Sequence, residues 1–272
     1  MHPGHPSEST SPARYCWASE RSAYSSSSRN LPCGTPLDRV SILAAAVAAL
    51  WAWVVIERRA TAPLVDLDLF TKGGVLRANT AMLTSGVGMY LLFSLLTRYV
   101  QSPPQAGYGF GLSGVLAGAA LIPFSVLGFV AGRLTPWLTG RVSARWTFVT
   151  YAVFVVIAAG LFAATPSSLA ATLLAMVVLG FGVGGISAIM PRLVLDGVPQ
   201  SETSSVLSIN QIVRSVGFSI GSALAGLLLA TATHAGSLFP DEHGYTTAAL
   251  YVLPLLLLSA IAVLAGRASA KR

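Results

Sequence analysis

The chain has 272 residues, of which 54% are hydrophobic and only 10% charged, and its mean hydropathy is +0.69. Such a composition excludes an ordinary water-soluble globular protein, because lipid must cover most of the surface. The formal charge of +7 does not point to nucleic acid either: the arginines stand between apolar runs, and no basic block lies on an otherwise soluble domain.

Residues 1–38 are rich in Ser, Pro and Arg, include Ser25-Ser26-Ser27-Ser28 and hold almost no aliphatic side chains. They cannot bury a core and are expected to be disordered. Cys16 and Cys33, the only cysteines, both lie in this tail and are too few for a disulfide framework or a zinc site. The tail has no apolar run of its own ahead of a cleavage site, so it is not a secretory signal. An uncleaved signal anchor over Ser41 to Ile56 stays open.

Apolar runs of about 17 to 25 residues, the length that crosses roughly 30 Å of hydrocarbon, then recur. The pattern predicts spans over Val40 to Ile56, Ala78 to Val100, Leu112 to Ala131, Trp146 to Ala164, Leu169 to Met190, Thr203 to Ala232 and Thr247 to Ala265. Pro191 is expected to close the fifth. A closed β-barrel would show short alternating segments, whereas these runs are continuous. The expected class is an all-α membrane protein.

Positive charge in the short loops sets the expected orientation. Arg58, Arg59, Lys72 and Arg77 precede the second span; Arg133, Arg141 and Arg145 separate the third and fourth; Arg192 follows the fifth; Arg267, Lys271 and Arg272 end the chain. These segments share one side, expected to be cytoplasmic, and place the C-terminus there. With seven spans the N-terminus would be outside, which leaves Arg14, Arg21, Arg29 and Arg39 external and sits awkwardly with the same rule.

Pairs of glycines four residues apart recur at Gly114/Gly118, Gly128/Gly132, Gly180/Gly184 and Gly217/Gly221. Their expected use is close helix packing. The run Gly180 to Gly185 superficially matches a dinucleotide fingerprint, but it sits mid-span with no strand before it, so that reading fails.

No apolar span contains Asp or Glu, and the histidines His2, His5, His234 and His243 lack metal spacing with any other ligand. No nucleophile, base and acid fall at one membrane depth, so an enzyme is not expected, and neither a metal nor a cofactor. The polar residues that remain are concentrated in the sixth span. At 100° per residue, Asn210, Arg214, Gly217, Gly221 and Ala225 form one stripe beside an arc of Ser204, Gln211, Ser215 and Ser222. Arg214 lies some three turns into the span, where a charge is a functional candidate by default; its structural alternative is snorkelling or bonding to a neighbouring helix. Asn210 and Gln211 are either interhelical hydrogen bonds or cavity lining. In the second span Asn79, Gly86, Tyr90, Phe93 and Thr97 share a stripe, suited to a greasy ligand or to simple packing. Phe124 follows Pro123, and Pro254 lies in the last span; both prolines mark expected bends.

These residues carry a resemblance. Glu57-Arg58-Arg59, then Pro63 to Phe70 and Ala78-Asn79, is similar to the segment entering the C-terminal half of fourteen-span drug:proton antiporters of the major facilitator superfamily. Val198-Pro199, Glu202, Asn210, Arg214, Gly217, Ser219, Gly221 and Ala223 resemble the penultimate helix of that branch. Gly132 to Arg141 is similar in position to the superfamily's cytoplasmic Gly/Arg loop, although Pro136 stands where aspartate is usual and Gly140-Arg141 falls one residue late.

The resemblance implies a six-helix C-terminal bundle over 60–272, preceded by one transmembrane helix over 39–59. It also implies a multi-pass protein of the bacterial inner membrane whose N-terminal half, with its embedded acid, is missing. The expected partners are the lipid bilayer, a small lipophilic or cationic substrate and that missing half, with no nucleic acid. Tyr90, Phe93, Phe124, Gln211 and Arg214 are the expected substrate contacts, and Arg133 and Arg141 the expected cytoplasmic gate. The function so implied is proton-coupled export of small amphipathic molecules. A non-transporting membrane half-bundle, binding a partner or merely degenerate, is the competing reading.

Overall fold

A computed structural model describes Ala48, residues 73–234, Ser237 and residues 239–265. The expected disordered tail at 1–38 lies outside these residues, as does, Ala48 apart, the expected span over 39–59. All the helices described below belong to the compact unit Leu64–Arg272.

Helix α1 runs over Gly73–Gln101, α2 over Gly114–Arg141, α3 over Ala144–Ala164, α4 over Leu169–Val194 and α5 over Thr203–Thr231. Helices α6, Glu242–Leu250, and α7, Val252–Leu264, together make the last crossing. Six helical segments are thus long and apolar enough to cross a membrane, and the described residues contain no strand. Backbone N–H and C=O groups have no water partner in hydrocarbon, so helices that satisfy them internally are the stable solution for such a sequence.

Two expectations about helix ends need correction, and one expected bend is present. The stretch Gly132 to Arg141 is not a loop: α2 continues through it to Arg141 and holds Pro136 in its interior, leaving only Val142 and Ser143 before α3. Leu134 and Leu138 keep the run apolar there, while the hydroxyls of Thr135 and Thr139 donate to the carbonyls of Ala131 and Thr135, at 2.8 and 2.6 Å. Pro191 does not close α4, which runs on to Val194. The last span, by contrast, is broken at Tyr251. Pro254 has no N–H for the carbonyl of Leu250, so the chain tightens there and the Tyr251 N–H bonds to Ala248 O at 3.2 Å.

Serine hydroxyls start two helices: Ser113 accepts from the N–H of Leu116 and Ser168 from that of Ala171. Between α1 and α2 the chain turns tightly through Gly109, whose φ of 80° and contact with Ser102 would both resist a side chain.

Helix α1 is the centre of the bundle. It packs on α5, α7 and α4, and seventeen of its residues are buried. Helix α4 is the second hub, gripping α2 on one side and α3 on the other. Glycines set both distances. A Cβ on Gly217 would come 2.8 Å from Leu83 O, and one on Gly221 would run into Val87 O, so α5 lies directly on the α1 backbone. Gly180 and Gly184 meet Phe124 and Gly128 of α2, while Gly182 and Gly185 of the same run meet Val155 and Tyr151 of α3. The Gly-rich run therefore serves two helix faces at once. Gly114 and Gly118 have no such neighbour within 4 Å.

Polar pins fix the register. Asn210 donates to Asn79 Oδ1 at 2.9 Å between α5 and α1, and Ser259 donates to Ala81 O at 2.9 Å between α7 and α1. At the other end of the bundle the buried Tyr99 donates to Glu242 Oε1 at 2.9 Å. Tyr99 also meets Tyr108, Phe110, Phe162 and Tyr245 in an aromatic plug.

Candidate functional site

The periodic stripe on α5 divides into two surfaces. Asn210, Gly217, Gly221 and Ala225 are buried and form the seam against α1. The neighbouring serine arc is not in the seam. Ser215, Ser219 and Ser222, with Phe218, Ala223 and Gly226, form one wall of an open groove of about 690 Å³. Its other wall is Tyr90 and Arg98 of α1.

A row of aromatic rings crosses this face. Phe218 of α5 stacks on Tyr90 of α1 with ring centroids 4.4 Å apart and planes 18° apart. Tyr90 lies 5.4 Å from Phe93, and Phe93 lies 5.5 Å from Phe124 of α2. One continuous line thus joins three helices. At its α5 end the Arg214 guanidinium carbon sits 5.6 Å from the Phe218 ring centroid, within cation–π range. Arg214 is half-buried, and its Nε is buried without a hydrogen-bond partner among the described residues.

Four of the five expected substrate contacts, Tyr90, Phe93, Phe124 and Arg214, therefore lie on one row. Gln211 is on the same helix but exposed and outside the ring contacts. The residue that sequence reading missed is Phe218, which joins Arg214 to Tyr90. Its signal was present, since Phe218 is four residues after Arg214 and such pairs meet on a helix surface. Asn210 takes the interhelical hydrogen bond rather than lining the groove.

Because Asn79 pairs with Asn210, α1 and α5 run parallel with a constant offset of 131 residues. Arg214 is then level with Leu83, Phe218 with Val87 and Gly221 with Tyr90. At about 1.5 Å per residue, Arg98 lines one end of the groove and Arg214 lies just beyond the other, each roughly 11 Å from the level of Tyr90. A second cavity of about 470 Å³ continues past Arg98 and Gly226 towards Pro240 and Tyr245.

The expected gate arginines, Arg133 and Arg141, are both exposed on the last turns of α2. Arg141 covers the ring of Trp137 at 4.2 Å, so its charge is held against its own helix. Among the described residues no group of three or more His, Cys, Asp or Glu side chains could hold a metal ion.

Among the described residues, six helical segments long and apolar enough to cross a membrane, with one open face carrying a polar and aromatic groove, define a multi-pass membrane protein. The sequence model of the Major Facilitator Superfamily matches residues 40–222, and the chain belongs to that family. It is 27% identical over 190 residues to the "Multidrug resistance protein Stp" of Mycobacterium tuberculosis, covering 69% of this chain and 34% of that protein. It is 26% identical over 217 residues to the "Tetracenomycin C resistance and export protein" of Streptomyces glaucescens, covering 76% of this chain and 37% of that protein. The matched part is thus about a third of the length of these curated relatives.

Proposed function

We propose that this chain forms the C-terminal half of a proton-coupled exporter of small amphipathic molecules, and that the α5–α1–α2 face is one wall of its substrate path. The observation that carries the reading is the aromatic row from Phe218 through Tyr90 and Phe93 to Phe124, with Arg214 at its end, beside an open 690 Å³ groove. Flat rings and a few hydrogen-bonding groups suit lipophilic molecules held loosely and in more than one pose. The names of the two relatives, a multidrug resistance protein and a resistance and export protein, support the same class.

The wall is half of a cavity. Alternating access uses two bundles rocking about a site near the midplane, and within the unit Leu64–Arg272 no described residue covers this face. The described acidic residues Asp196, Glu202, Asp241 and Glu242 all lie at helix ends or between helices. In this reading a companion bundle supplies the opposite wall and with it the membrane-embedded proton carrier that the described residues lack. In this reading residues 60–272 form the transporter half, 39–59 a preceding transmembrane helix and 1–38 a tail. The protein is a carrier of the bacterial inner membrane, not an enzyme, with its C-terminus in the cytoplasm. Arg133 and Arg141 act at the cytoplasmic end of α2 as part of the gate.

The test is a hybrid. This chain replaces the matched segment of the Mycobacterium tuberculosis relative, and resistance to lipophilic drugs is scored in an efflux-deficient cell. The hybrid restores resistance and the chain alone does not. Resistance from the chain alone would remove the companion bundle from the account.

A further inference from the structure

The groove carries charge of one sign. Among the described residues its lining includes no Asp or Glu, and neither does that of the cavity continuing from it; Arg98 is the charged residue in both walls. Arg214 adds a second guanidinium just beyond the opposite end, set against Phe218 and, among the described residues, not against a carboxylate. The serines do not compensate. Ser215 and Ser219 donate their hydroxyl hydrogens to the carbonyls of Gln211 and Ser215, both at 3.0 Å, and their remaining acceptor oxygens carry no formal charge to balance a guanidinium.

A lipophilic cation in this groove would meet aromatic faces, which attract it, between two arginines, which repel it. The two guanidinium charges oppose the attraction of the rings for a cation. An anion meets the reverse arrangement. Arg214 is half-buried, with its Nε covered and without a hydrogen-bond partner among the described residues, and the rest of its guanidinium beside an apolar ring gains most from a planar acceptor that it can hold by hydrogen bonds. The guanidinium stands 5.6 Å from the Phe218 ring centroid, so a flat ring system laid along Phe218 and Tyr90 brings an oxygen on its edge within reach of it.

We infer that the groove selects planar aromatic molecules bearing an anionic oxygen, a carboxylate or phenolate, with the rings on Phe218 and Tyr90 and the oxygen paired with Arg214. The inference rests on the reading of this groove as the substrate wall, and it narrows the substrate class from lipophilic or cationic to lipophilic and anionic.

The full chain in phosphatidylcholine nanodiscs is titrated with two probes of one ring system and opposite charge, anthracene-9-carboxylate and anthracen-9-ylmethylammonium. Fluorescence anisotropy is read against empty discs. The carboxylate should bind about tenfold or more tightly than the ammonium. Arg214→Gln should abolish that ratio, Arg214→Lys should retain part of it, and Tyr90→Ala should weaken both probes alike. Equal or tighter binding of the ammonium overturns the inference, as does a ratio untouched by Arg214→Gln or one lost instead with Arg98→Gln. If both probes bind equally and Tyr90→Ala weakens both, the groove stands as the site and only the charge class falls. If neither probe binds, or Tyr90→Ala changes neither, the site itself falls.

Discussion

Asn210 on α5 and Asn79 on α1 are both buried, and the amide of one donates to the carbonyl oxygen of the other at 2.9 Å. This bond sets the register in which Phe218 meets Tyr90 two to three turns further along. Asn79→Ala leaves the Asn210 amide without its acceptor and should lower thermal stability in detergent by about 1 kcal/mol. Replacing both residues with leucine should cost less than the single change, since no buried donor is then stranded. Circular dichroism melting of the two variants beside the parent chain checks the order.

The glycine contacts predict a sharp division among residues that look alike in sequence. Gly221→Ala and Gly184→Ala each push a methyl group into a neighbouring backbone, at Val87 and Gly128, and should destabilise the bundle by about 1–3 kcal/mol. Gly118→Ala meets nothing within 4 Å and should leave the melting temperature unchanged or slightly raised. A uniform response across the three would contradict the packing described.

Much of this was legible because lipid imposes a simple rule. An apolar run long enough to cross must be a helix, so six spans could be read from Ala78 onwards. The ends were less legible. Pro136 and Pro191 look like terminators, yet each sits inside a helix, where apolar neighbours or threonine back-bonding carry the turn onward. Tyr90, Phe93, Phe124 and Arg214 could be picked singly from periodicity. That they form one line could not, because it depends on the α1–α5 register set by Asn79 and Asn210 and on Phe218, which reads as one more apolar residue. Gly114/Gly118 shows the converse: spacing alone proposes a contact, and only the fold says whether a partner is present.

The aromatic plug at the far end of α1 gives a pH prediction. Tyr108 lies between α1 and α2; burial, with Tyr245 beside it, pushes its hydroxyl above the ordinary tyrosine range. The fold favours the protonated form, so the contribution is complete below about pH 10, the usual tyrosine value, and is lost as pH rises beyond it. Stability should fall steeply on the alkaline side, and Tyr108→Phe should flatten that fall. Among the described residues the buried Tyr108 hydroxyl has Tyr245 and Ser102 beside it but no well-formed hydrogen bond, so the same variant should cost little at neutral pH. Tyr99→Phe should behave differently, losing the bond to Glu242 and about 1–2 kcal/mol. Melting curves across pH 7 to about 12 separate the two.

Orientation can be tested with single cysteines once Cys16 and Cys33 are replaced by serine. A membrane-impermeant maleimide applied to intact cells should label Ser167→Cys, in the turn between α3 and α4, and should not label Ser143→Cys, between α2 and α3. The reverse pattern would invert the proposed topology and place Arg133 and Arg141 outside.

The central claim is that the Phe218–Tyr90–Phe93–Phe124 row is a working wall of a substrate path completed by a companion bundle. It is tested most directly in the hybrid with the Mycobacterium tuberculosis relative, by measuring drug resistance of the Tyr90→Ala/Phe218→Ala double variant at matched membrane abundance. The account predicts that resistance is lost while the protein remains in the membrane. Undiminished resistance in that double variant would contradict it.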